Sequence, residues 1–327
     1  MSILEIIQTK KLLEASKLPT QLDVARILTV RQPHYNDYYL RNLEAGLSGE
    51  DEVLEFLQLY GKSQWKGIRN IWLNVSGKFE CDFILLTYSG LHMFEIKNYN
   101  GHFVYENDDC TLNKRVLSDN PITQTKRNFR KLKSIIHKIN PNINVTGSLV
   151  FIGENNSVEI NSPVSDITIV ERNQFRDYIF KLVEPENYQP QSINFDRIIA
   201  QLEKYEDVNY FVPEALDTPS MEKIRKGIYC ASCQSFNLAI SKLYINCNCG
   251  YKESRESGTL RTICEYSVLT MKGQITLGEA LDFINGQASE RYLITIMKKH
   301  FRRNVKGKYT YYDINPVPLH KQVLLIS

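Results

Sequence analysis

The sequence predicts a mixed α/β core whose sheet is covered by helices on both faces, followed by a small Cys-rich unit and a C-terminal α+β piece. Three observations carry this reading. The first half runs helix, antiparallel strands, helix, strand. Four cysteines crowd into residues 230–249. Two amphipathic segments then precede KGKYTYYDI, which reads as a terminal strand or hairpin wing.

The chain has 327 residues and is 43% hydrophobic, enough to bury a full core and still supply smaller units. No apolar run approaches the ~18 residues of a membrane helix. The start MSILEIIQTKKLLEASK lacks the basic head, apolar middle and small-residue cleavage site of a signal peptide, so a cytoplasmic protein is expected.

Residues 1–44 are expected to form a helical segment, because LEIIQTKKLLEAS and LDVARIL place apolar residues at helical spacing. A further helix is expected over 48–60, with Ser48 as its cap and three acids in its first turn. IRNIWLNV, FECDFILLTY, LHMFEIKNYNG and HFVYE are β-rich runs broken by SGK, YSG and NG turn signals, and they predict a meander of about four strands. Asn120-Pro121 marks a helix start, and VTGSLVFI and ITIV are further strands. The core is thus placed at 45–170, a helical connector at 171–225, the Cys-rich unit at 226–258 and the C-terminal unit at 259–327.

Within the meander, Asp82, Ile84 and Leu86 are expected on one face of their strand. Glu95 and Lys97 share a face of the next, with Phe94 and Ile96 on the other. Folding the hairpin about Ser89 sets position 82 opposite 96 to within a residue, so two carboxylates and an ammonium converge at one end of the pair. Charges there are costly unless paired. Oxygens from Asp82, Glu95 and the Ile96 carbonyl suit Mg²⁺ (or Mn²⁺), with Lys97 placed to orient water or neutralise a phosphate. The plainer alternative is a surface ion pair to Lys97 worth roughly 0–1 kcal/mol. By strand parity, His92 is expected to be a packed or surface histidine, and Gly101 fits a positive φ.

GEDEV at 49–53, CDFILLTYSGLHMFEIKNYNG at 81–101 and NPITQTKRN at 120–128 together resemble the nuclease-related domain (NERD), a branch of the PD-(D/E)xK nuclease superfamily. The resemblance covers roughly residues 40–165. It implies a restriction-endonuclease-like mixed sheet and metal-dependent hydrolysis of phosphodiester bonds. It also implies roles for Glu50 as a helix-borne carboxylate, Asp82 and Glu95 as metal ligands, Lys97 as a catalytic residue and Gln124 as a residue reaching the site from its helix. Without the resemblance, Glu50 reads as an acid favoured by a helix N-terminus and Gln124 as a solvated helix residue.

Cys230-x-x-Cys233 and Cys247-x-Cys249-Gly250 look like a Zn²⁺ ribbon, each short loop offering two thiolates to a tetrahedral ion. The Cys-x-Cys pair departs from the usual spacing, leaving Cys264 as a substitute ligand. Cys81 and Cys110 are expected to be buried or incidental thiols.

The net charge of +3 names no partner, but the basic residues cluster. Residues 126–138 hold six Lys or Arg and no acid, including Lys126, Arg127 and Arg130. Residues 291–308 hold seven, including Lys298, Lys299, Arg302, Arg303, Lys306 and Lys308, with tyrosines 309, 311 and 312 nearby for stacking. Each stretch reads either as a solvated helix face or as a phosphate-contacting surface. The second reading makes nucleic acid the partner, DNA before RNA, and the tail winged-helix-like. Two rivals remain: a catalytically silent nucleic-acid-binding protein, and a protein-interaction scaffold on a nuclease fold.

Overall fold

The computed structural model describes residues 4–188, 193–208, 212–306 and 309–321. The chain divides into two units, Met1–Leu13 with Glu44–Asn209, and Glu14–Leu43 with Tyr210–Ser327. It opens with the short strand β1 (Glu5–Ile6) and helices α1 (Lys10–Ala15), α2 (Gln21–Arg31) and α3 (Asp37–Tyr60). The all-helical reading of the first residues is therefore corrected at β1. It is corrected again at Ser48, which lies inside α3 and caps nothing. The apolar spacing continues backwards from Leu47 through Leu43 and Leu40, so the helix propagates past the local Ser-Gly-Glu signal.

The first unit is built on a mixed six-stranded sheet of order β1-β2-β3-β4-β8-β10. Its strands are β2 (Lys66–Asn74), β3 (Lys78–Thr87) and β4 (Gly90–Lys97), joined as antiparallel neighbours, and β8 (Val145–Phe151) and β10 (Thr168–Glu171), which run parallel to β4. The predicted fourth strand of the meander leaves this sheet. β5 (Gly101–Glu106) starts at Gly101, whose φ of +120° redirects the chain, and pairs with β6 (Asp109–Leu112) and β9 (Asn156–Ile160). With β7 (Arg115–Val116) these form a separate four-stranded sheet.

Helix α4 (Pro121–Ile139) begins as expected: Asn120 accepts a hydrogen bond from the Thr123 N–H, and Pro121 needs no donor in the first turn. Ile122, Phe129, Leu132 and Ile136 of α4 share one apolar cluster with Ile84, Leu86 and Met93 of the sheet. Phe195, Ile198 and Leu202 of α6 (Phe195–Leu202) join the same cluster, which places the expected connector inside this unit as far as residue 209. On the opposite face, Val53 and Leu57 of α3 pack with Phe83, Phe94 and Ile96, and with Phe175 and Ile179 of α5 (Arg172–Tyr188). Helices thus cover both faces of the sheet, as its apolar strands require.

The second unit joins the Cys-rich and C-terminal segments in one grouping. After the short α7 (Thr218–Glu222), strands β11 (Leu238–Ile240), β12 (Tyr244–Cys247) and β13 (Lys252–Ser254) make a three-stranded antiparallel sheet. Then come α8 (Arg255–Thr270), β14 (Gln274–Thr276), α9 (Leu277–Ile284), α10 (Glu290–His300), β15 (Arg302–Lys306) and β16 (Tyr309–Asp313). The sequence reading had α9, α10 and the terminal hairpin but not α8 or β14. Helix α8 is buried almost all round, which erases the periodicity that marks a surface helix. The order helix, strand, helix, helix, hairpin, with the sheet arranged β14-β16-β15, is winged-helix-like. Tyr312 is 2% exposed in this unit's core, which removes it from the tyrosines expected to stack on a ligand. Among the described residues, no helix is long and apolar enough to cross a membrane.

Candidate active site

The β3–β4 ladder ends at the pair Phe83↔Phe94, so the register sets Asp82 against Glu95, within the expected residue of error. The expected face of Asp82 is corrected. Phe79 and Cys81 pack in the same cluster as Ile84 and Leu86, while Phe83 and Leu85 pack on the other face, so the alternation slips by one residue at position 82. Opposite it on β2, Asn70 adopts a left-handed φ of +51°, and Ile68 and Ile71 share a cluster across the same slip. The irregularity re-aims side chains where β3 parts from β4.

At this parting, the Ile96 N–H donates to Asp82 Oδ2 at 2.7 Å. The Lys97 carbonyl faces β8, where it accepts from Ile152, so the Ile96 N–H and C=O face the β3 edge. Lys97 Nζ lies 3.0 Å from Glu95 Oε1 and 3.4 Å from Gln124 Oε1. Glu95 is 1% exposed, and its Oε2 is buried without a hydrogen-bond partner in the protein. An unpartnered carboxylate oxygen in that position is costly, and a hard cation would satisfy it.

Burial and the Glu95 charge push the Asp82 carboxyl well above the usual carboxylate range, against the pull of Lys97 and the Ile96 N–H. Burial pulls the Lys97 ammonium down, but Glu95 and Asp82 outweigh it, so its pKa is raised and its charge secured. Glu80, which the sequence reading missed, belongs to the same field. Burial, then Glu50, then Glu95 raise its pKa to about 7. Its place two residues before Asp82 would put it on the same side of a regular strand, the one signal available for it.

Glu50 stands further out. It accepts from Asn70 Nδ2 at 2.9 Å and from Arg69 at 3.3 Å, and its charge still raises both Asp82 and Glu80. Because it lies mid-helix, the helix dipole does not account for it. Its placement comes from Gly49, where a Cβ would stand 2.8 Å from the Asn98 Cβ and 3.0 Å from an Ile152 methyl. Asn98 Nδ2 in turn donates to the Ala45 carbonyl at 2.9 Å, fastening the amino-terminal half of α3 to the chain just beyond Lys97. His92 is a packed histidine, hydrogen-bonded to Thr87 and Thr146, and burial lowers its pKa to about 4.

In the second unit, the sulfur atoms of Cys230, Cys233, Cys247 and Cys249 all lie within 4.8 Å of one another. Two of the separations are 3.7 Å, Cys230 to Cys249, and 3.4 Å, Cys233 to Cys247. Four thiolates at the ~2.3 Å Zn–S bond length stand about 3.8 Å apart at tetrahedral corners, so the cluster fits a metal ion. The β11–β13 sheet supports it as a zinc-ribbon-like unit. Cys264 is not in the group: it is fully buried in the core, and burial pushes its thiol up to about 12. Cys81 and Cys110 are buried thiols, as expected. Among the described residues, the carboxylates of the first unit form no cluster as tight as the cysteines.

Residues 45–152 match the family model of the nuclease-related domain, NERD. These residues form a nuclease-related domain. The segment begins just before Gly49-Glu50 and ends just past the β8 strand beside Glu95 and Lys97, so it holds every element of the site described above. No curated protein and no solved structure matches the chain. The domain points to a nuclease-like function on nucleic acid.

The basic residues divide. Arg130 is committed to Asp166 at 2.5 Å, and Lys299 to Glu256 at 2.8 Å. Arg127, Lys298, Arg302 and Arg303 are exposed, and Lys126 is half-buried. The Lys306 side chain and the whole of Lys308 lie outside the described residues.

Proposed function

We propose that the nuclease-related domain is a divalent-metal-dependent phosphodiesterase acting on DNA, assisted in binding by the second unit. The observation that carries this reading is the buried, unpartnered Glu95 Oε2, beside a charged lysine and the half-buried Asp82 carboxylate. Asp82, Glu95 and the Ile96 carbonyl are the residues that would hold Mg²⁺ or Mn²⁺. Such an ion, when bound, polarises the phosphorus oxygens and makes water a better nucleophile.

The chain's own residues do the rest. The Ile96 N–H fixes one Asp82 oxygen, leaving the other free to face the ion. Glu95 Oε1 and Gln124 Oε1 both accept from the Lys97 ammonium, which holds it in place as a fixed positive charge. Since its pKa is raised, Lys97 serves as a donor to charge building on phosphate and not as a base. Asn70 and Arg69 hold Glu50 at the margin, where its charge deepens the negative field that attracts a cation.

Zn²⁺ is the ion we assign to the four cysteines, where it would contribute folding free energy to the small β11–β13 ribbon. A cytoplasmic setting, where thiols stay reduced, fits that assignment. Arg127, Lys298, Arg302 and Arg303 offer phosphate contacts, so binding to DNA should weaken steeply as salt rises.

The test is cleavage of linear and circular DNA with Mg²⁺ or Mn²⁺, comparing the unaltered chain with Asp82→Ala and Lys97→Ala. Each substitution should cost on the order of a hundredfold or more in rate, with the fold intact by circular dichroism. Equal activity in all three proteins refutes the assignment.

A further inference from the structure

A hollow of about 630 Å³ lies in the second unit. Its floor is the buried Leu260 and Cys264 of α8. Tyr244 of β12 and Tyr292 of α10 contribute its aromatic wall, and Lys242 and Arg255 stand at its rim. The volume falls in the range of small-ligand sites, ~300–1,000 Å³.

The electrostatics of the rim select the ligand. Glu256 is the acid among the lining residues, and it is occupied by Lys299 at 2.8 Å and His300 at 2.6 Å. Lys242 and Arg255 make no ion pair among the described residues, so the rim keeps a net positive charge. Arg255 Nε is buried without a hydrogen-bond partner, Nη2 donates to the Gln287 carbonyl at 3.3 Å, and the guanidinium lies 4.1 Å from the Tyr292 ring centre. Tyr244 is 43% exposed and has the Lys252 ammonium 3.9 Å from its ring centre, an electron-rich face beside a cation.

A flat aromatic wall with unneutralised cations at its edge matches a nucleobase and its flanking phosphates better than an acyl chain or an apolar peptide. Duplex bases are paired and stacked, so only an unpaired base can enter. We propose that this hollow receives a base of single-stranded DNA, stacked on Tyr244, with the adjoining phosphates against Lys242 and Arg255. The inference deepens the nucleic-acid reading given above and rests on it, but not on catalysis. It gives the second unit a preference for unpaired ends, gaps or displaced strands, in a chain that also carries a nuclease-related domain.

The experiment is fluorescence anisotropy of a labelled short oligothymidylate and of a duplex of matched length, with the full zinc-loaded chain and no added Mg²⁺. Tyr244→Ala should weaken single-strand binding roughly tenfold, and Tyr244→Phe, which keeps the ring, should stay within about twofold of the parent. Arg255→Gln should weaken it several-fold and flatten its salt dependence. Duplex binding should move by less than about twofold in every variant. An unchanged single-strand affinity in both Tyr244→Ala and Arg255→Gln overturns the proposal, as it would if a protein segment fills the hollow. Equal losses on duplex and single strand overturn it too. Cleavage by the unaltered chain with Mg²⁺ reads the proposed hydrolysis separately: a chain that binds through Tyr244 but cuts nothing upholds this inference and sinks the other.

Discussion

Replacing Glu80 by Gln should make the metal-free protein more stable, and only above mildly acidic pH. The Glu80 carboxyl is raised from 4.5 to about 7 by burial, Glu50 and Glu95. An acid that binds its proton more tightly when folded contributes nothing to the pH dependence below about 4.5, where both states are protonated. As pH climbs through about 7 the folded state must ionise at a cost, and stability falls. At about 1.4 kcal/mol per unit, the shift corresponds to ~3 kcal/mol lost once both states are ionised. Gln keeps the shape and an acceptor oxygen while removing the charge, so a gain of about 2 kcal/mol is expected at alkaline pH.

Urea unfolding followed by tryptophan fluorescence suits the measurement. Both tryptophans of the chain, Trp65 and Trp72, are buried in the first unit, so the signal reports on the unit that holds Glu80. In EDTA at pH about 8.5, the midpoint of Glu80→Gln should exceed that of the parent by roughly 1 M urea. The two should converge towards pH about 4.5. Mg²⁺ should raise the parent more than the variant, because a cation relieves the same repulsion. A variant no more stable at pH about 8.5, or a gap that persists unchanged at pH about 5, would refute the reasoning.

Two more predictions concern how the sites are held. Gly49→Ala forces a methyl against the Asn98 Cβ at 2.8 Å, so it should cost about 1–3 kcal/mol and reduce cleavage by displacing Glu50; equal stability and activity in Gly49→Ala would show that the close approach is incidental. Chelation should release about one Zn²⁺ per chain and loosen the ribbon, with Cys233→Ser lowering bound metal and Cys264→Ser leaving it unchanged, as read by elemental analysis and proteolysis.

Much of the site was legible because strand geometry is local. Two-residue alternation put Glu95 and Lys97 on one face, and a turn signal fixed the hairpin register to one residue. The slip of faces at Asp82 was not legible, because it depends on Asn70 in a neighbouring strand. Ser48 misled for a related reason: a good capping residue does not stop a helix whose apolar stripe extends on both sides. The buried α8 was invisible because a helix packed all round has no polar stripe to reveal it. Glu80 was missed because its two-residue spacing from Asp82 does not by itself distinguish it from a solvated strand residue. Only the folded chain shows that Glu50 and Glu95 act on it.

Two of the segments that carry the resemblance are mechanically linked, and this gives Gly49-Glu50 and Lys97-Asn98 a reason to occur in one chain. Gly49 has no side chain where Asn98 needs room, and Asn98 holds the helix backbone at Ala45. Glu50 therefore follows the contact by one residue on α3, and Lys97 precedes it by one residue on β4. A shift of helix against strand would move both chemical groups together. The field at Asp82 and Glu80 then depends on one packing contact, since Glu50 raises both of those carboxyls without touching either. Under the proposed assignment, cation binding would be coupled to the seating of α3 on the sheet: an ion that neutralised Asp82 and Glu95 would remove repulsion acting on Glu50, and a loosened helix would weaken the field that draws the ion in.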